Sequence, residues 1–205
     1  GGRVGLHGTN PISYALPRDG HDPVVFDLST GYSSAKIKDT LDEDGRIAAG
    51  QALDADGEPT TDPADLADGW ILPVAGHVGF GLGLLVDGLA AALSDNPIAR
   101  EVPLVHETDG PYYGSFFCLA ISPDAFAGAE AFSSRIESLV GQIESAPPRD
   151  PDRPVRWPGQ RGWKLARQRA IGGIPFTAER IRGLVAELAE LGVEGIEDCG
   201  LRFED

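Results

Sequence analysis

The glycine-rich segment at residues 76–83, which reads GHVGFGLG, has the residue types and spacing that most readily suggest a binding site. Glycines that open a helix can present bare amide groups to an anion. The segment fails the Rossmann fingerprint, because Leu84 stands where the last glycine should be when the count begins at Gly79. No Gly-Lys-Ser/Thr follows, as a P-loop requires. On pattern alone, ligand binding and close helix packing are equally good interpretations.

The four histidines offer one further candidate. His77 lies between glycines at the predicted helix start and is the only one in a persuasive setting, although a structural role has equal weight. None of His7, His21, His77 and His106 forms a His-x-x-x-His pair or lies beside a cysteine, so we predict no metal site. The sequence has no Gly-x-Ser-x-Gly elbow for a serine nucleophile, and nothing pairs two carboxylates across a site. These residues alone predict an acidic α/β domain with an optional anion site.

The elements that must position this segment form an α/β pattern. Apolar runs around 11–16, 24–28 and 116–121 predict strands. Apolar residues at helical spacing predict a largely buried helix over 81–93. Because strands alternate with helices, the class is α/β or α+β, and we predict a mixed β-sheet with flanking helices.

Further signals concern turns and the later helices. Asp54-Ala55-Asp56-Gly57 predicts a turn, without the terminal glutamate of a calcium loop. A helix could begin at Asp124, and residues 146–162 predict an extended Pro/Arg-rich connection. The last helix follows Thr177 as N-cap and ends at Gly192. Its predicted core face comprises Ile181, Leu184, Val185, Leu188 and Leu191.

Composition excludes several partners. The net charge of −15, from 32 acidic and 17 basic residues, argues against nucleic acid and against an anionic membrane surface. No apolar run is long enough to span a bilayer, and the first residues do not resemble a signal peptide. Cys118 and Cys199 cannot form a disulfide scaffold, so we expect a soluble protein in the reducing cytoplasm. The acidic, lysine-poor composition favours a salt-loving or high-GC source. The absence of methionine indicates a processed or truncated product.

Six segments, in order along nearly the whole chain, resemble the malate/L-lactate dehydrogenase family. They are Gly8-Thr9-Asn10-Pro11-Ile12; Phe26-Asp27-Leu28-Ser29-Thr30 with Ala35-Lys36; Asp54 to Pro63; Leu72-Pro73 with residues 76–82; Phe116 to Pro123 with Phe126; and Trp157-Pro158-Gly159-Gln160 with Arg167, Arg169 and Gly173-Ile174-Pro175. Each motif is weak by itself, but six in the right order are specific.

The resemblance implies a non-Rossmann fold that binds NAD or NADP and interconverts 2-hydroxy and 2-oxo acids, or related imines, by hydride transfer. It also implies a homodimer, with residues 1–145 as a cofactor-binding domain lacking its N-terminal part and 146–205 as a connection and helical segment. The implied cofactor-binding residues are Asp27, Leu28, Ser29, Val78, Pro158, Gly159 and Gln160. Thr9, Asn10 and His77 are implied to lie near the site. Backbone amides of the glycine-rich turn are expected to meet the phosphates.

The sequence departs from the family pattern in two places. Val78 stands where the family usually has lysine, which removes a charge partner from an anionic cofactor. The family's acid/base histidine lies upstream of the Gly8-Thr9-Asn10 segment, outside this sequence, so we expect no catalytic residue here and an inactive piece. The leading hypothesis is the C-terminal portion of a 2-hydroxyacid oxidoreductase. The alternative is a catalytically inactive binding or assembly protein derived from that family.

Overall fold

The computed structural model describes residues 1–33, 37, 40–103 and 113–193. The first β-sheet along the chain is a two-stranded hairpin. Strands β1 (Ile12–Arg18) and β2 (His21–Leu28) pair antiparallel. Gly20 turns the chain between them with φ +67°, a conformation that glycine adopts without a Cβ clash. These strands confirm the predictions made from the first two apolar runs.

Two helices pack on the hairpin, α2 (Ala129–Ser145) against β1 and α3 (Gln160–Gly172) against β2. We call these four elements the hairpin layer. Its core consists of the buried side chains of Val24, Ile136, Val140 and Trp157. Arg18 crosses from β1 to α2, where its guanidinium donates to both carboxylate oxygens of Glu137 at 2.5 and 2.9 Å. The same guanidinium lies 5.1 Å from the centroid of the Trp157 ring.

A second, smaller sheet lies in the middle of the chain. Strand β3 (Ala52–Leu53) pairs antiparallel with both β4 (Pro59–Thr60) and β5 (Trp70–Ile71). The predicted turn at residues 54–57 joins β3 to β4 and is confirmed, because the Asp54 carboxylate accepts from the amides of Asp56 and Glu58 and Gly57 has φ +79°. The core of this sheet is formed by Ile37, Ile47 and Ala52.

The glycine-rich segment opens a helix, as predicted. Helix α1 (His77–Val86) continues through a π-helical turn (Asp87–Ala91) and a 3₁₀ turn (Ala92–Ser94). We call the whole stretch His77–Ser94 the apolar helix. The prediction that it is largely buried is wrong: small residues, Gly79, Gly83, Ala90 and Ala91, are its buried ones. Its larger side chains face outward, because glycines allow neighbouring backbone to approach closely on the inner side.

The apolar helix also corrects the expectation that no apolar stretch could span a bilayer. The stretch has 18 residues and a mean hydropathy of 1.5, with 22% of it buried, so by length and composition it could cross a membrane. A core helix of a soluble protein passes the same test. The expectation failed because Asp87 interrupts the apolar run but not the helix.

The later segments match the predictions in part. Residues 116–121 belong to no strand in the described structure, because no partner strand pairs with them there. Pro123–Ala125 forms a short 3₁₀ turn, and the helix expected near Asp124 begins at Ala129, whose amide donates to the Asp124 carboxylate. The predicted connection is confirmed over residues 146–159, whereas its last three residues, 160–162, already belong to α3.

The last helix, α4 (Ala178–Glu190), begins and ends as predicted. The Thr177 hydroxyl accepts from the Arg180 amide, and Gly192 follows the helix with φ +75°. The predicted core face of α4 is only partly correct. Ile181 is buried, whereas Leu184 and Leu191 are 46% and 77% exposed. Tertiary partners, which periodicity does not specify, decide which apolar positions are covered.

The α/β class, with sheets flanked by helices, is confirmed. All pairs among the described strands are antiparallel. Trp157 joins Val24 in one core although the predicted domain boundary lies between them, at residue 145. The division of the chain at that residue stays a prediction.

Candidate functional site

Three segments that are distant in sequence meet at the end of β2: the Thr9 segment, the turn after β2 and the segment that begins the apolar helix. The carbonyl of Thr9 joins the first two. It accepts from the Thr30 amide at 2.9 Å and from the hydroxyls of Thr30 and Ser29, both at 3.1 Å. Ser29 Oγ also lies 2.6 Å from the Gly31 carbonyl, so its single proton has two acceptors. Thr30 is 2% exposed, and these bonds satisfy its buried hydroxyl. The predicted site residues Thr9 and Ser29 therefore lie side by side.

The same turn contacts the start of the apolar helix. The Val74 amide donates to the Thr30 carbonyl, and the Val74 carbonyl accepts from the Gly79 amide, both at 2.9 Å. A Cβ on Gly79 would lie 2.3 Å from the Val74 oxygen and 2.5 Å from the Thr30 oxygen. Only glycine fits at this distance. Gly79 thus holds the neighbouring Val78 close to the turn that follows β2.

The amides at the start of α1 are less available than the glycine pattern suggested. The Val78 amide donates to the Ala75 carbonyl at 3.3 Å, and the Gly79 amide is bonded to Val74. Among the first three amides of the helix, that of His77 is the one without an acceptor in the described residues. The expectation of several amides facing a phosphate is therefore reduced to one, because the turn itself uses the others.

The Pro158 segment lies along the outer edge of β2. The Val25 amide donates to the Pro158 carbonyl at 3.1 Å, which means that it points away from β1. Gly159 has φ +91°, and a Cβ there would lie 2.9 Å from the Val25 carbonyl oxygen. Asp27 is two residues beyond Val25 on the same strand, about 7 Å along it. Asp27, Pro158 and Gly159 therefore share one edge of the hairpin.

Gln160 has a structural partner that the sequence did not indicate. Its side-chain amide donates to Glu144 Oε1 at 2.9 Å, and the indole of Trp157 donates to the same oxygen at 2.9 Å. Gln160 Oε1 is buried and has no hydrogen-bond partner in the described structure. The Gln160 side chain thus ties the start of α3 to α2, although its backbone stays beside Gly159.

The side chains that could meet a ligand are exposed. Asp27 is exposed, and its carboxylate takes part in none of the three ion pairs of the described residues. Leu28 is 40% exposed and Val78 51% exposed, so both present apolar surface. His77 is also exposed, at the first position of α1. The Asp27 carboxylate can accept hydrogen bonds from hydroxyl groups, and the apolar side chains of Leu28 and Val78 can each contact a flat ring.

Asn10 fixes the Thr9 segment against the apolar helix. Its side-chain amide donates to the Gly83 carbonyl at 3.0 Å and to Asp87 Oδ1 at 2.8 Å. Its backbone is left-handed, with φ +36°, a region that asparagine tolerates better than most residues. Asp87 is the residue at which the helix changes to its π-helical turn. The Asn10 side chain thus connects the Thr9 segment to this irregular turn by hydrogen bonds.

Sequence reasoning did not single out His7 or Asp87. The His7 ring stacks on Phe80 with centroids 5.4 Å apart, and a Cβ on Gly83 would lie 2.4 Å from His7 Cε1. His7 Nε2 is buried without a hydrogen-bond partner in the described structure. Asp87 carried a usable signal, because a single carboxylate inside an apolar helical run requires a polar partner. For His7 no sequence signal pointed to the helix.

These contacts bring Thr9, Asn10, Ser29 and Val78 together at the end of β2, through the Thr30–Val74 contact. Pro158 and Gly159 contact Val25 in the middle of β2, two residues before Asp27. Within the described residues, no hydrogen bond joins Val78 directly to Gln160. Whether all of them contact one ligand stays a prediction, although β2 links both groups.

Comparison with known proteins gives a family and several relatives. The family model for malate/L-lactate dehydrogenase matches residues 1–185. A Δ1-pyrroline-2-carboxylate/Δ1-piperideine-2-carboxylate reductase from Pseudomonas putida is 32% identical over 188 residues, 90% of this chain and 53% of the relative. A ureidoglycolate dehydrogenase (NAD+) from Escherichia coli is 29% identical over 190 residues, 91% of this chain and 54% of the relative.

A solved structure agrees with this result. The sulfolactate dehydrogenase from Methanocaldococcus jannaschii superposes with a TM-score of 0.74 at 27% identity, covering 94% of this chain and 55% of that protein. The chain thus spans about half the length of the relatives it matches.

Proposed function

Because the chain belongs to the malate/L-lactate dehydrogenase family, as the match over residues 1–185 shows, we propose that the whole protein is an NAD- or NADP-dependent oxidoreductase. Its substrate class is a small acid with a hydroxyl, oxo or imine group on the carbon next to the carboxylate. The observation that carries the proposal is the family match combined with the meeting of its motifs at the end of β2.

The exposed groups at the end of β2 fit a dinucleotide. The nicotinamide cofactor supplies or accepts the hydride when bound. The Asp27 carboxylate is exposed and accepts hydroxyl groups of a ribose. The apolar surfaces of Leu28 and Val78 offer contacts to a flat ring. Glycine at position 159 lets the backbone of the Pro158 segment lie directly against β2.

Positive charge near the site comes from the start of α3 rather than from the start of α1. Arg156 and Arg161 flank the Pro158–Gln160 segment, and both are exposed. Neither takes part in the three ion pairs of the described residues. We assign the attraction of the pyrophosphate to this pair, since Val78 carries no charge and a single amide of α1 remains free.

The relatives support the substrate class. Sulfolactate and ureidoglycolate are 2-hydroxy acids, and Δ1-pyrroline-2-carboxylate is an imine with a carboxylate on the imine carbon. Hydride transfer to the carbonyl or imine carbon leaves negative charge on oxygen or nitrogen, which must receive a proton. By resemblance, a histidine outside these 205 residues donates it.

The test compares Asp27→Asn with Asp19→Asn in the whole protein. Asp19 is exposed at the turn between β1 and β2, at the opposite end of the hairpin, so it is a matched control. A charged hydrogen bond contributes roughly 1.5–3 kcal/mol, so Asp27→Asn should raise the KM for the cofactor about tenfold or more. Cofactor oxidation is followed by absorbance with a panel of 2-oxo acids and cyclic imines. Asp19→Asn should leave KM unchanged.

Two results would count against the proposal. Equal KM values for the two variants would remove Asp27 from the cofactor site. Cofactor binding without turnover of any acid or imine would favour the inactive binding protein instead. Turnover by the 205-residue chain alone would place the proton donor within it, with His77 as the first residue to test.

A further inference from the structure

The residues from Trp157 to Gln160 form a tight turn, which ends the connection between α2 and α3. The Gln160 amide donates to the Trp157 carbonyl at 3.2 Å and closes the turn. Gly159, its third residue, has φ +91° and ψ −20°. These angles, with proline at the second position, are typical of a type II turn, which favours glycine because φ is positive. We call residues 157–160 the Pro-Gly turn.

One carboxylate oxygen of helix α2 accepts from the side chains at both ends of the Pro-Gly turn. The indole Nε1 of Trp157 and the Nε2 of Gln160 each donate to Glu144 Oε1, both at 2.9 Å. Glu144 lies in the last turn of α2. Hydrogen bonds to a carboxylate are stronger than those between neutral groups. The two ends of the turn are therefore tied to each other and to α2 through a single atom.

The middle of the Pro-Gly turn lies against β2. The Pro158 carbonyl accepts from the Val25 amide at 3.1 Å, and a Cβ on Gly159 would lie 2.9 Å from the Val25 carbonyl oxygen. Because the ends and the middle of the turn are all held, the directions in which the chain enters and leaves it are fixed. Arg156 directly precedes the turn and Arg161 directly follows it. The turn thus sets the positions from which both guanidinium groups extend.

The orientation of the Gln160 side-chain amide depends on Glu144. A glutamine side chain can donate or accept, and an acceptor at Glu144 requires its NH2 group to point that way. Its Oε1 is then left buried, without a hydrogen-bond partner in the described structure. A buried acceptor without a partner is unfavourable for stability. Departures of this kind are expected at functional sites, where stability is not the only requirement.

We propose that Glu144 is a positioning residue for the cofactor. By holding both ends of the Pro-Gly turn, it keeps Arg156 and Arg161 within reach of the cofactor phosphates, and it does not contact the cofactor itself. Gln160 then acts on the cofactor through the conformation of the turn rather than through its own side chain. This inference rests on the proposed function, in which the Pro158 segment borders the cofactor.

A reversal of the Gln160–Glu144 pair provides the sharpest test. Gln160→Glu in the whole protein sets two carboxylates against each other and releases one end of the turn. We expect the Kd for NADH and for NADPH, measured by fluorescence titration, to rise about tenfold or more. In the double variant Gln160→Glu/Glu144→Gln, the amide at position 144 can donate to the carboxylate at position 160 and still accept from Trp157. Its Kd should return to within about threefold of the parent value.

A direct contact between position 160 and the cofactor gives a different result. A carboxylate at position 160 would then repel the phosphates whichever residue stands at position 144. The double variant would bind the cofactor as weakly as Gln160→Glu does. That outcome would overturn the indirect role of Gln160 and the positioning role of Glu144.

Removal of the carboxylate provides the second test. Glu144 is exposed, so we expect its variants to fold. Glu144→Ala leaves both donors without their acceptor and should raise the Kd for the cofactor about tenfold. Glu144→Gln keeps an oxygen acceptor with weaker, neutral bonds, so its Kd should stay within about threefold of the parent value. Equal weakening by both variants would show that the charge of Glu144 acts, and that its hold on the turn does not.

Two control variants on the same helix separate positioning from general effects. Glu130→Ala removes the same charge from the first turn of α2. Ser133→Ala removes the hydroxyl that accepts from the Asp19 amide at 2.9 Å, and so loosens α2 from the opposite end of the hairpin. Neither should change the Kd for the cofactor. Weakening by either control as large as that of Glu144→Ala would overturn the specific role of Glu144.

Steady-state kinetics distinguish this inference from the proposed function. In Glu144→Ala the KM for the cofactor should rise about tenfold, while kcat at saturating cofactor stays within about twofold, because weaker binding alone leaves the chemical step unchanged. A fall in kcat together with the melting temperature would indicate a purely structural role and overturn the inference. A parent protein that binds neither NADH nor NADPH would overturn the proposed function itself. Binding by the parent with an equal Kd in Glu144→Ala would overturn the role of Glu144 alone.

Discussion

Large side chains are buried in the hairpin layer and exposed in the apolar helix. In the hairpin layer, Val24, Val140 and Trp157 are 2–6% exposed, because two helices return to cover the strands. In the apolar helix, Gly83 is buried while Leu85 is 52% exposed. Both regions are apolar in sequence. The apolar content of an element therefore indicates how much apolar surface it has to bury. It does not indicate which other element buries that surface.

The largest contrast should come from removing one large side chain in each region. Trp157→Ala should cost about 3–5 kcal/mol in the 205-residue chain, since it empties the core and removes the indole donor to Glu144. Leu85→Ala should change the free energy of unfolding by no more than about 0.5 kcal/mol there, because the side chain is already exposed. Urea titration measures both. Equal losses would mean that the apolar helix is packed after all.

Two glycines of the apolar helix should respond with opposite signs. Gly83→Ala brings a Cβ to 2.4 Å from His7, so we expect a loss of about 1–3 kcal/mol. Gly81→Ala meets nothing within 4 Å and should stabilise the helix by up to about 1 kcal/mol. Thermal unfolding of the two variants distinguishes a packed inner side from an open outer side. Stabilisation by both would show that His7 does not lie against the helix.

A positive charge added at the start of the apolar helix tests the predicted role of this helix in cofactor binding. Val78 is 51% exposed, so a lysine there is sterically tolerated. If the cofactor binds beside it, Val78→Lys should tighten binding about tenfold at low salt, since a charge-assisted bond contributes roughly 1.5–3 kcal/mol. The gain should shrink as salt screens the charge. Titration of cofactor fluorescence gives the Kd, with Arg135→Lys as a charge-conserving control on α2. An unchanged Kd would show that position 78 lies too far from the cofactor phosphates for a charge there to act on them.

The smallest effect concerns pH and belongs to the hairpin layer. The Arg18 guanidinium donates to Glu137 and holds the pKa of that carboxyl below its ordinary value. The contribution of Glu137 is therefore fully present above its unfolded pKa, about 4.3, and is lost as pH falls through the lower folded pKa. Urea midpoints measured down to acid pH should fall less steeply in Glu137→Gln than in the parent. Parallel profiles would show that the ion pair contributes nothing measurable.

The sequence anticipated features that depend on neighbours along the chain. The hairpin strands, the turn at residues 54–57, the helix after residue 76 and the Thr177 cap all follow from local spacing and from turn and cap chemistry. Sequence alone did not reveal the Glu144 partner of Gln160 or the contact of His7 with Gly83. These pairs are 16 and 76 residues apart. Nothing in a local pattern specifies which distant residue arrives.

For the candidate site, the sequence by itself determined which groups are available: the carboxylate of Asp27, the apolar Val78 and the glycines that permit close backbone contact. The tertiary structure decided which of those groups stay free. It used the amides of Val78 and Gly79 within the turn, turned the Gln160 side chain toward Glu144, and left Asp27 exposed at the end of β2. The physical reason is that a hydrogen-bonding group satisfied inside the fold is no longer available to a ligand, and only the packed chain shows which groups these are.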